Sequence, residues 1–130
     1  MTLGKTLLIS LMLLLLSACT SSHIILGEAR PPIHHTEVKI YTDKPTQFET
    51  IAIVDASSKY SFSFTEQHKM DKALERLKQE AGKLGANGIL LTSITDNESI
   101  TTTSGDDGIS FSTSESYKSL QATAIYVITP

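Results

Sequence analysis

The chain has 130 residues, with 11 basic and 14 acidic side chains, a formal net charge of −3 and one cysteine. This length allows at most one domain of ordinary size. A single cysteine excludes an internal disulfide framework and any zinc or iron–sulfur site built from several thiolates. The acidic balance excludes the basic surface that nucleic-acid binding requires, so we expect no nucleic acid among the partners.

The N-terminus has the pattern of a secretory signal peptide. Lys5 precedes a run of ten residues, 7–16, that is apolar apart from Ser10. As a helix this run rises about 15 Å, which is half of the roughly 30 Å hydrocarbon core of a bilayer. It is therefore too short to span a membrane and has the length of the apolar region of a signal peptide.

Residues 16–19, Leu-Ser-Ala-Cys, resemble the bacterial lipobox. The resemblance implies cleavage between Ala18 and Cys19, and acylation of Cys19 as the first residue of a mature lipoprotein. Residues 1–18 are then the signal peptide, and the lipid holds the chain on a membrane, facing the periplasm. Because Thr20, rather than aspartate, follows the cysteine, the family's sorting rule favours the outer membrane. The alternative is an ordinary signal peptide followed by a buried cysteine.

Residues 19–36 are expected to form the lipidated N-terminus and a tether. Two consecutive prolines, Pro31 and Pro32, impose extended backbone and remove two amide donors. From residue 37 the apolar pattern changes, and residues 37–130 are expected to form a single domain.

The apolar pattern of this domain predicts an α+β fold. Four strands are expected, at residues 38–42, 48–56, 89–95 and 120–128. An apolar stripe at helical spacing, from Met70 to Leu84, predicts one amphipathic helix between the second and third strands. Gly82 permits close approach to the element that it faces, and Gly85 ends the helix. The expected architecture is a small two-layer β-β-α-β-β domain with the helix packed on a roughly four-stranded sheet.

Two segments leave alternatives open. Residues 60–64, Tyr-Ser-Phe-Ser-Phe, alternate like a strand but are equally compatible with a lead-in to the helix. Residues 97–118 are rich in serine and threonine, and loops of this length are uncommon in small domains unless functional or disordered. A projecting hairpin, roughly Ser99–Thr103 against Ile109–Thr113, competes with disorder for this excursion.

Part of the predicted domain resembles a known family. Residues 38–42, Val-Lys-Ile-Tyr-Thr, and residues 81–93, Ala-Gly-Lys-Leu-Gly-Ala-Asn-Gly-Ile-Leu-Leu-Thr-Ser, resemble the envelope-stress sensor lipoprotein of the Rcs phosphorelay. The second segment is also similar to a small cytosolic family named for heavy-metal binding. The resemblance implies the α+β fold and a place in envelope sensing. The chain departs from the sensor in lacking cysteines for disulfides and in its shorter, less basic tether.

The candidate metal ligands are few. His34, His35 and Glu37 lie together, and in extended backbone His35 and Glu37 would share a face. Two ligands make a weak site, because zinc needs three or four. Ordinary exposed histidines are the alternative, and no cofactor is expected.

Catalytic patterns are absent from the sequence. Asp55, Asp96 and His68 are isolated titratable residues with no nucleophile-and-base spacing, and no phosphate-binding glycine motif is present. We therefore expect the protein not to be an enzyme.

The excursion at residues 97–118 is the expected contact surface. It carries Ile109, Phe111 and Tyr117, which have no evident place in a core. Together with the lipobox, this favours a lipid-anchored periplasmic interaction or sensing module with an envelope protein as partner. The alternative is a periplasmic protein that binds a metal or a small ligand.

Overall fold

The structure is a computed structural model that describes residues 2–5 and 23–130. The elements are, in chain order, β1 (His23–Ile25), a 3-10 helix (His35–Glu37), β2 (Lys39–Tyr41), β3 (Gln47–Ser57), α1 (Glu66–Lys83), β4 (Gly88–Ser104) and β5 (Ser110–Thr129). The strands form one sheet in the order β1-β3-β5-β4-β2. The pairs are antiparallel except β2 with β4, which are parallel. The predicted α+β class is confirmed, with five strands where four were expected.

Helix α1 packs on one face of the sheet through the predicted apolar stripe. Ala73, Leu77 and Ala81 are fully buried there. They meet buried side chains from the three central strands, among them Val54, Ile89, Leu120 and Ala122. Thr65 caps the start of the helix, because its side chain accepts a hydrogen bond from the His68 N–H. Gly85 follows the helix with a φ of +74°, the left-handed conformation that ends many helices.

Most of the expected tether is part of the fold. β1 pairs with the middle of β3, and the N–H of Ile33 donates to the carbonyl of Gly82 at 2.9 Å. A Cβ atom on Gly82 would lie 2.8 Å from the Ile33 carbonyl oxygen. The expectation that residues 19–36 are a tether is therefore corrected for residues 23–36, which lie on the domain. The physical reason is that backbone hydrogen bonds to β3 and α1 order this segment despite its weak apolar pattern.

The excursion forms the hairpin, so the hairpin alternative is the one that the structure adopts. β4 and β5 stay paired with each other beyond the point where β3 ends, and the chain turns between them at residues 105–109. Ser99–Thr103 pair with Phe111–Glu115 rather than with Ile109–Thr113, a displacement of two residues. Gly108 in the turn has a φ of +75°, which glycine adopts without strain.

We call residues 96–118 the hairpin arm, because β3 pairs with β5 only as far as Ser57 with Ser119. Within the described ranges, no helix is long and apolar enough to cross a membrane. Ala18 and Cys19, the predicted cleavage and acylation sites, lie outside the residues that the structure describes.

Candidate functional site

Three large aromatic side chains protrude from the loop between β3 and α1. Tyr60, Phe62 and Phe64 expose 80%, 98% and 92% of their surface. We call residues 58–64 the aromatic loop. Large aromatic residues are usually at least partly buried, and a cluster of exposed ones is typical of a binding surface. The alternation of aromatic and serine residues was visible in the sequence, but the sequence analysis did not identify these residues as a candidate contact.

The backbone at the start of the aromatic loop is held firmly. Ser58 is fully buried; its N–H donates to the carbonyl of Lys118, and its hydroxyl accepts from the Lys118 N–H, both at 2.9 Å. The guanidinium of Arg76 on α1 donates to the carbonyls of Ser57 and Lys59, at 2.7 and 2.8 Å. The aromatic loop therefore starts from a backbone that hydrogen bonds hold to both α1 and β5.

Tyr60 has the left-handed backbone conformation, with a φ of +61°. This conformation is unusual for a residue with a bulky side chain, and it costs free energy that neighbouring contacts must offset. The anchoring hydrogen bonds of Ser58 and Arg76 flank it directly. The strained residue, Tyr60, therefore lies within the aromatic loop, the most exposed aromatic segment of the described chain.

A groove of about 350 Å³ separates the aromatic loop from the hairpin arm. Its walls are Phe62 and Phe64 on one side and residues 114–116 of β5 on the other. The ammonium group of Lys69 lies in it and donates to the hydroxyl of Ser116 at 2.6 Å. The groove therefore has an aromatic side and a polar side that carries Lys69 and Glu115, an arrangement that suits the binding of an extended peptide segment.

A charged cluster joins the hairpin arm to the start of α1. The ammonium of Lys118 on β5 bonds to the carboxylate of Asp96 on β4 and lies 3.0 Å from that of Glu66 on α1. Hydrogen bonds from Lys118 and Lys69 hold the pKa of Glu66 below its usual value, and those to Asp96 and Glu66 raise the pKa of Lys118. Both shifts favour the charged forms, so the cluster stays ionised at neutral pH.

The three predicted contact residues do not form one cluster. Ile109 and Phe111 lie near the tip of the hairpin arm and expose 52% and 68% of their surface. Ile109 lies in the turn rather than in β5. Tyr117 is half-buried at the base, with its ring centre 5.3 Å from the Lys59 ammonium. Phe111 and Tyr117 are six residue steps apart along the strand, which is about 20 Å.

His35 and Glu37 lie on the 3-10 helix rather than in extended backbone, and His34 caps its start. The rings of His34 and His35 are 4.4 Å apart, and the Nδ1 atom of His34 is 2.8 Å from the Thr36 hydroxyl. This local helix replaces the extended geometry that would have placed His35 and Glu37 on one face. Across residues 2–5 and 23–130, no three His, Cys, Asp or Glu side chains come together as metal ligands would.

The isolated titratable residues stay apart from one another. Asp96 belongs to the charged cluster with Lys118, His68 lies in the first turn of α1, and Asp55 lies on β3. None of these three residues lines the groove between the aromatic loop and the hairpin arm.

No protein-family model matches the chain, and no curated protein is significantly similar to it. A similar solved structure is that of a Francisella virulence factor, FvfA, with 20% sequence identity and a TM-score of 0.49. The alignment covers 78% of this chain and 92% of the other. A likeness at this level carries no argument about function.

Proposed function

We propose that this protein is a lipid-anchored, periplasm-facing interaction module of the bacterial envelope, without enzymatic activity. It binds an envelope protein through the aromatic loop and the adjoining groove. The single observation that carries the proposal is the exposure of Phe62 and Phe64 beside a groove of about 350 Å³. The hydrogen bonds that hold residues 57–61 and the helix cap at Thr65 restrict the short segment between them, which lowers the entropy lost on binding and favours Phe62 and Phe64 as anchor residues.

The lipid anchor is proposed from residues 16–19 alone, and the outer membrane is the expected location. The Cys19→Ser variant tests it: incorporation of a labelled fatty acid into the chain is lost, and the chain moves from the membrane fraction to the soluble periplasm. The Ser17→Ala variant keeps a small residue before the cleavage site and serves as the control, retaining the label. Incorporation of label into Cys19→Ser would overturn the anchor.

The partner surface is tested by a photocrosslinking amino acid placed at residue 62 in living cells. We expect a discrete adduct with an envelope protein at position 62 and at position 64. The control position is Ile128, which exposes 58% of its surface at the far end of β5. Adducts of the same mass from Ile128, or none from 62 and 64, would refute the aromatic loop as the contact.

Loss of function is tested with the double variant Phe62→Ser, Phe64→Ser. Because both side chains are almost fully exposed, the thermal unfolding midpoint should change little. Capture of the crosslinked partner should be lost, whereas Ile128→Ser leaves it intact. The sequence resemblance favours a role in envelope-stress sensing. That role is measured by the induction of an envelope-stress reporter in cells that carry the double variant.

A further inference from the structure

Strand β1 forms one edge of the sheet and begins a short run of exposed aliphatic side chains. Ile24, Ile25 and Leu26 expose 63%, 46% and 58% of their surface, and we call these three residues the β1 edge. In the order β1-β3-β5-β4-β2, β1 is the outermost strand, and its outer side has no neighbour among the described strands. Since consecutive residues of a strand point to opposite faces, both faces of the sheet are open to solvent at this edge.

The exposed apolar surface continues onto the face of the sheet that α1 does not cover. Ile53 lies between Ala52 and Val54, which are both buried in the core under α1, so its side chain points to the opposite face. It is half-buried there and lies directly opposite Ile24 in the pairing of β1 with β3. Ile24 and Ile53 therefore form one apolar patch at the rim of the open face.

The proposed lipid anchor brings the β1 edge to the membrane. Cys19 is four residue steps from His23, the first residue of β1, and four steps of chain span at most about 14 Å. An acyl group on Cys19 lies in the bilayer, so the start of β1 stays within this distance of the attachment point. Because the β1 edge follows His23 directly, it is the exposed apolar surface that is closest to the anchor along the chain.

We infer that Ile24, Ile25 and Leu26 dock on the phospholipid surface that holds the lipid of Cys19. This inference rests on the proposed lipid anchor. Aliphatic side chains gain free energy when they leave water for the boundary between headgroups and acyl chains. The N–H and C=O groups on the outer side of an edge strand are unpaired, and such groups are excluded from the hydrocarbon core. The β1 edge therefore lies at the level of the headgroups and does not enter the centre of the bilayer.

The charged residues around the β1 edge give it no excess of positive charge. Arg30 is paired with Glu49, the His23 ring lies 3.9 Å from the carboxylate of Glu80, and Glu28 follows the edge. Anionic headgroups therefore do not attract this surface. Since apolar contacts are not screened by ions, the docking should persist in high salt.

This orientation leaves the aromatic loop and the groove available for a protein partner. Neighbouring strands are about 4.8 Å apart, so β5, two strands from β1, lies about 10 Å from the edge that faces the bilayer. The groove lies beyond it, between the aromatic loop and residues 114–116. The β1 edge and the groove can therefore be occupied at the same time.

Tryptophan fluorescence tests the contact, because the chain contains no tryptophan of its own. The lipoprotein is purified from membranes and placed in protein-free vesicles of phosphatidylethanolamine and phosphatidylglycerol, with acyl chains brominated close to the headgroup. We expect the emission of Ile24→Trp to shift to the blue and to be quenched by bromine, equally in low and in high salt. A tryptophan that stays in water shows neither effect.

The matched control is Ile100→Trp in the hairpin arm, because Ile100 exposes 70% of its surface. Ile24 is in line with Thr123 of β5 and Ile100 with Ser114, nine residue steps apart along β5, which is about 30 Å. The emission of Ile100→Trp should stay that of a residue in water. Equal quenching at residues 24 and 100, or no quenching at residue 24, would overturn the inference.

Chemical coupling supplies the anchor independently of acylation in the cell. Cys19 is the only cysteine, so the chain that begins at this residue can be coupled to a maleimide with a single alkyl chain. One such chain gives marginal, reversible membrane binding, so partition into the same vesicles without bromine reports any additional contact. The double variant Ile24→Ser, Leu26→Ser should lower the partition coefficient about tenfold, and Ile100→Ser should leave it unchanged. Circular dichroism verifies that both variants are folded.

The outcomes separate the docking from the proposed function. An unchanged partition coefficient for the double variant of the coupled chain would overturn the docking alone. Absence of fatty acid from the native chain would overturn the anchor and, with it, the docking in the cell. Stronger quenching of Phe62→Trp than of Ile24→Trp would place the aromatic loop in the bilayer and refute this orientation. Since the vesicles contain no other protein, none of these results depends on the crosslinking at residue 62.

Discussion

The side-chain amide of Asn87 hydrogen-bonds to both backbone groups of Val127. Its Nδ2 donates to the Val127 carbonyl at 3.0 Å, and its Oδ1 accepts from the Val127 N–H at 2.6 Å. The backbone carbonyl of Asn87 also accepts from the N–H of Lys39 on β2. Asn87, the residue immediately before β4, therefore hydrogen-bonds to both β5 and β2. Its side-chain amide bonds to Val127 in the way that a backbone amide of a neighbouring strand would.

Replacing Asn87 by alanine should destabilise the domain. The substitution leaves the partly buried N–H and C=O of Val127 without their partner, which costs about 1–3 kcal/mol. Urea unfolding followed by circular dichroism measures the loss. The control is Asn97→Ala in the hairpin arm: the Asn97 amide donates to the Ser119 hydroxyl, and losing this bond should cost less. Equal losses for the two variants would contradict a special role for Asn87.

Gly82→Ala should destabilise the protein although alanine is the better helix former. In an isolated helix the change would be favourable by about 1 kcal/mol. Here a Cβ atom would lie 2.8 Å from the Ile33 carbonyl oxygen, which is backbone and cannot turn aside. We expect faster amide hydrogen exchange at Ile33 and a lower unfolding midpoint.

The control for Gly82 is Gly105→Ala in the hairpin turn. A Cβ atom there would first meet the end of the flexible Asp107 side chain, at 2.9 Å. This variant should leave exchange at Ile33 unchanged. An increase in stability for Gly82→Ala would show that residues 23–36 do not pack on α1 as described.

Replacing Arg76 by methionine should loosen the aromatic loop. The change keeps much of the side-chain packing but removes the donors to the carbonyls of Ser57 and Lys59. Buried hydrogen bonds from a charged group are worth about 1.5–3 kcal/mol each, but Arg76 is only partly buried, so we expect the loss of both to cost about 2–3 kcal/mol in total. Amide exchange at Ser61, whose N–H donates to the Ser58 carbonyl, reports the loosening.

Arg76→Lys is the matched variant for this position. It keeps the positive charge, but a single ammonium does not reproduce the planar, forked geometry of the guanidinium. Exchange at Ser61 should therefore fall between that of the native chain and that of Arg76→Met. Slow exchange at Ser61 in Arg76→Met would refute the anchoring role.

The charged cluster should make the contact between α1 and the hairpin arm depend on pH at both extremes. The pKa of Glu66 lies below its usual 4.5 in the folded chain, so its contribution is present above 4.5 and is lost as the pH falls through the folded pKa. The pKa of Lys118 lies above its usual 10.5, so its contribution is complete below 10.5 and is lost as the pH rises through the folded pKa. Between these limits the contact should not change.

Nuclear magnetic resonance titration tests the cluster through Lys118→Gln. This variant should raise the pKa of Glu66 towards 4.5, because the hydrogen bond from Lys118 makes the largest contribution to lowering that pKa. The matched control is Lys72→Gln, which should raise the lowered pKa of Glu75 on α1 and leave Glu66 unchanged. A Glu66 pKa that does not respond to Lys118→Gln would contradict the contact between helix and arm.

Helix α1 and most of the core could be predicted from the sequence, because their signals are local. Ala73, Leu77 and Ala81 recur at helical spacing, and that spacing itself places them on one face. Thr65 and Gly85 act within one turn of the helix ends. The hairpin could be predicted only as one of two alternatives. Its alternating pattern is local, but the hairpin is ordered by pairing between β4 and β5, and the pattern of either segment alone does not determine that pairing.

The candidate site was predicted only in part. Ile109, Phe111 and Tyr117 were expected to be exposed; Ile109 and Phe111 are, whereas Tyr117 is half-buried. The aromatic loop was not identified, since Tyr-Ser-Phe-Ser-Phe has the period of a strand and nothing in the sequence says that no strand lies beside it. Whether a side chain is exposed depends on which elements pack beside it, so the sequence pattern of a segment does not determine its exposure.

The sequence by itself determined the α+β class, the position of the helix and the lipobox pattern, each of which depends on residues close together in the chain. The tertiary structure alone decided that β1 joins β3, that residues 23–36 pack on α1, and that the aromatic loop faces solvent. These features rest on hydrogen bonds between residues far apart in sequence, such as those from Arg76 to Ser57 and from Asn87 to Val127. Such pairings depend on how the whole chain packs, and no local pattern encodes them.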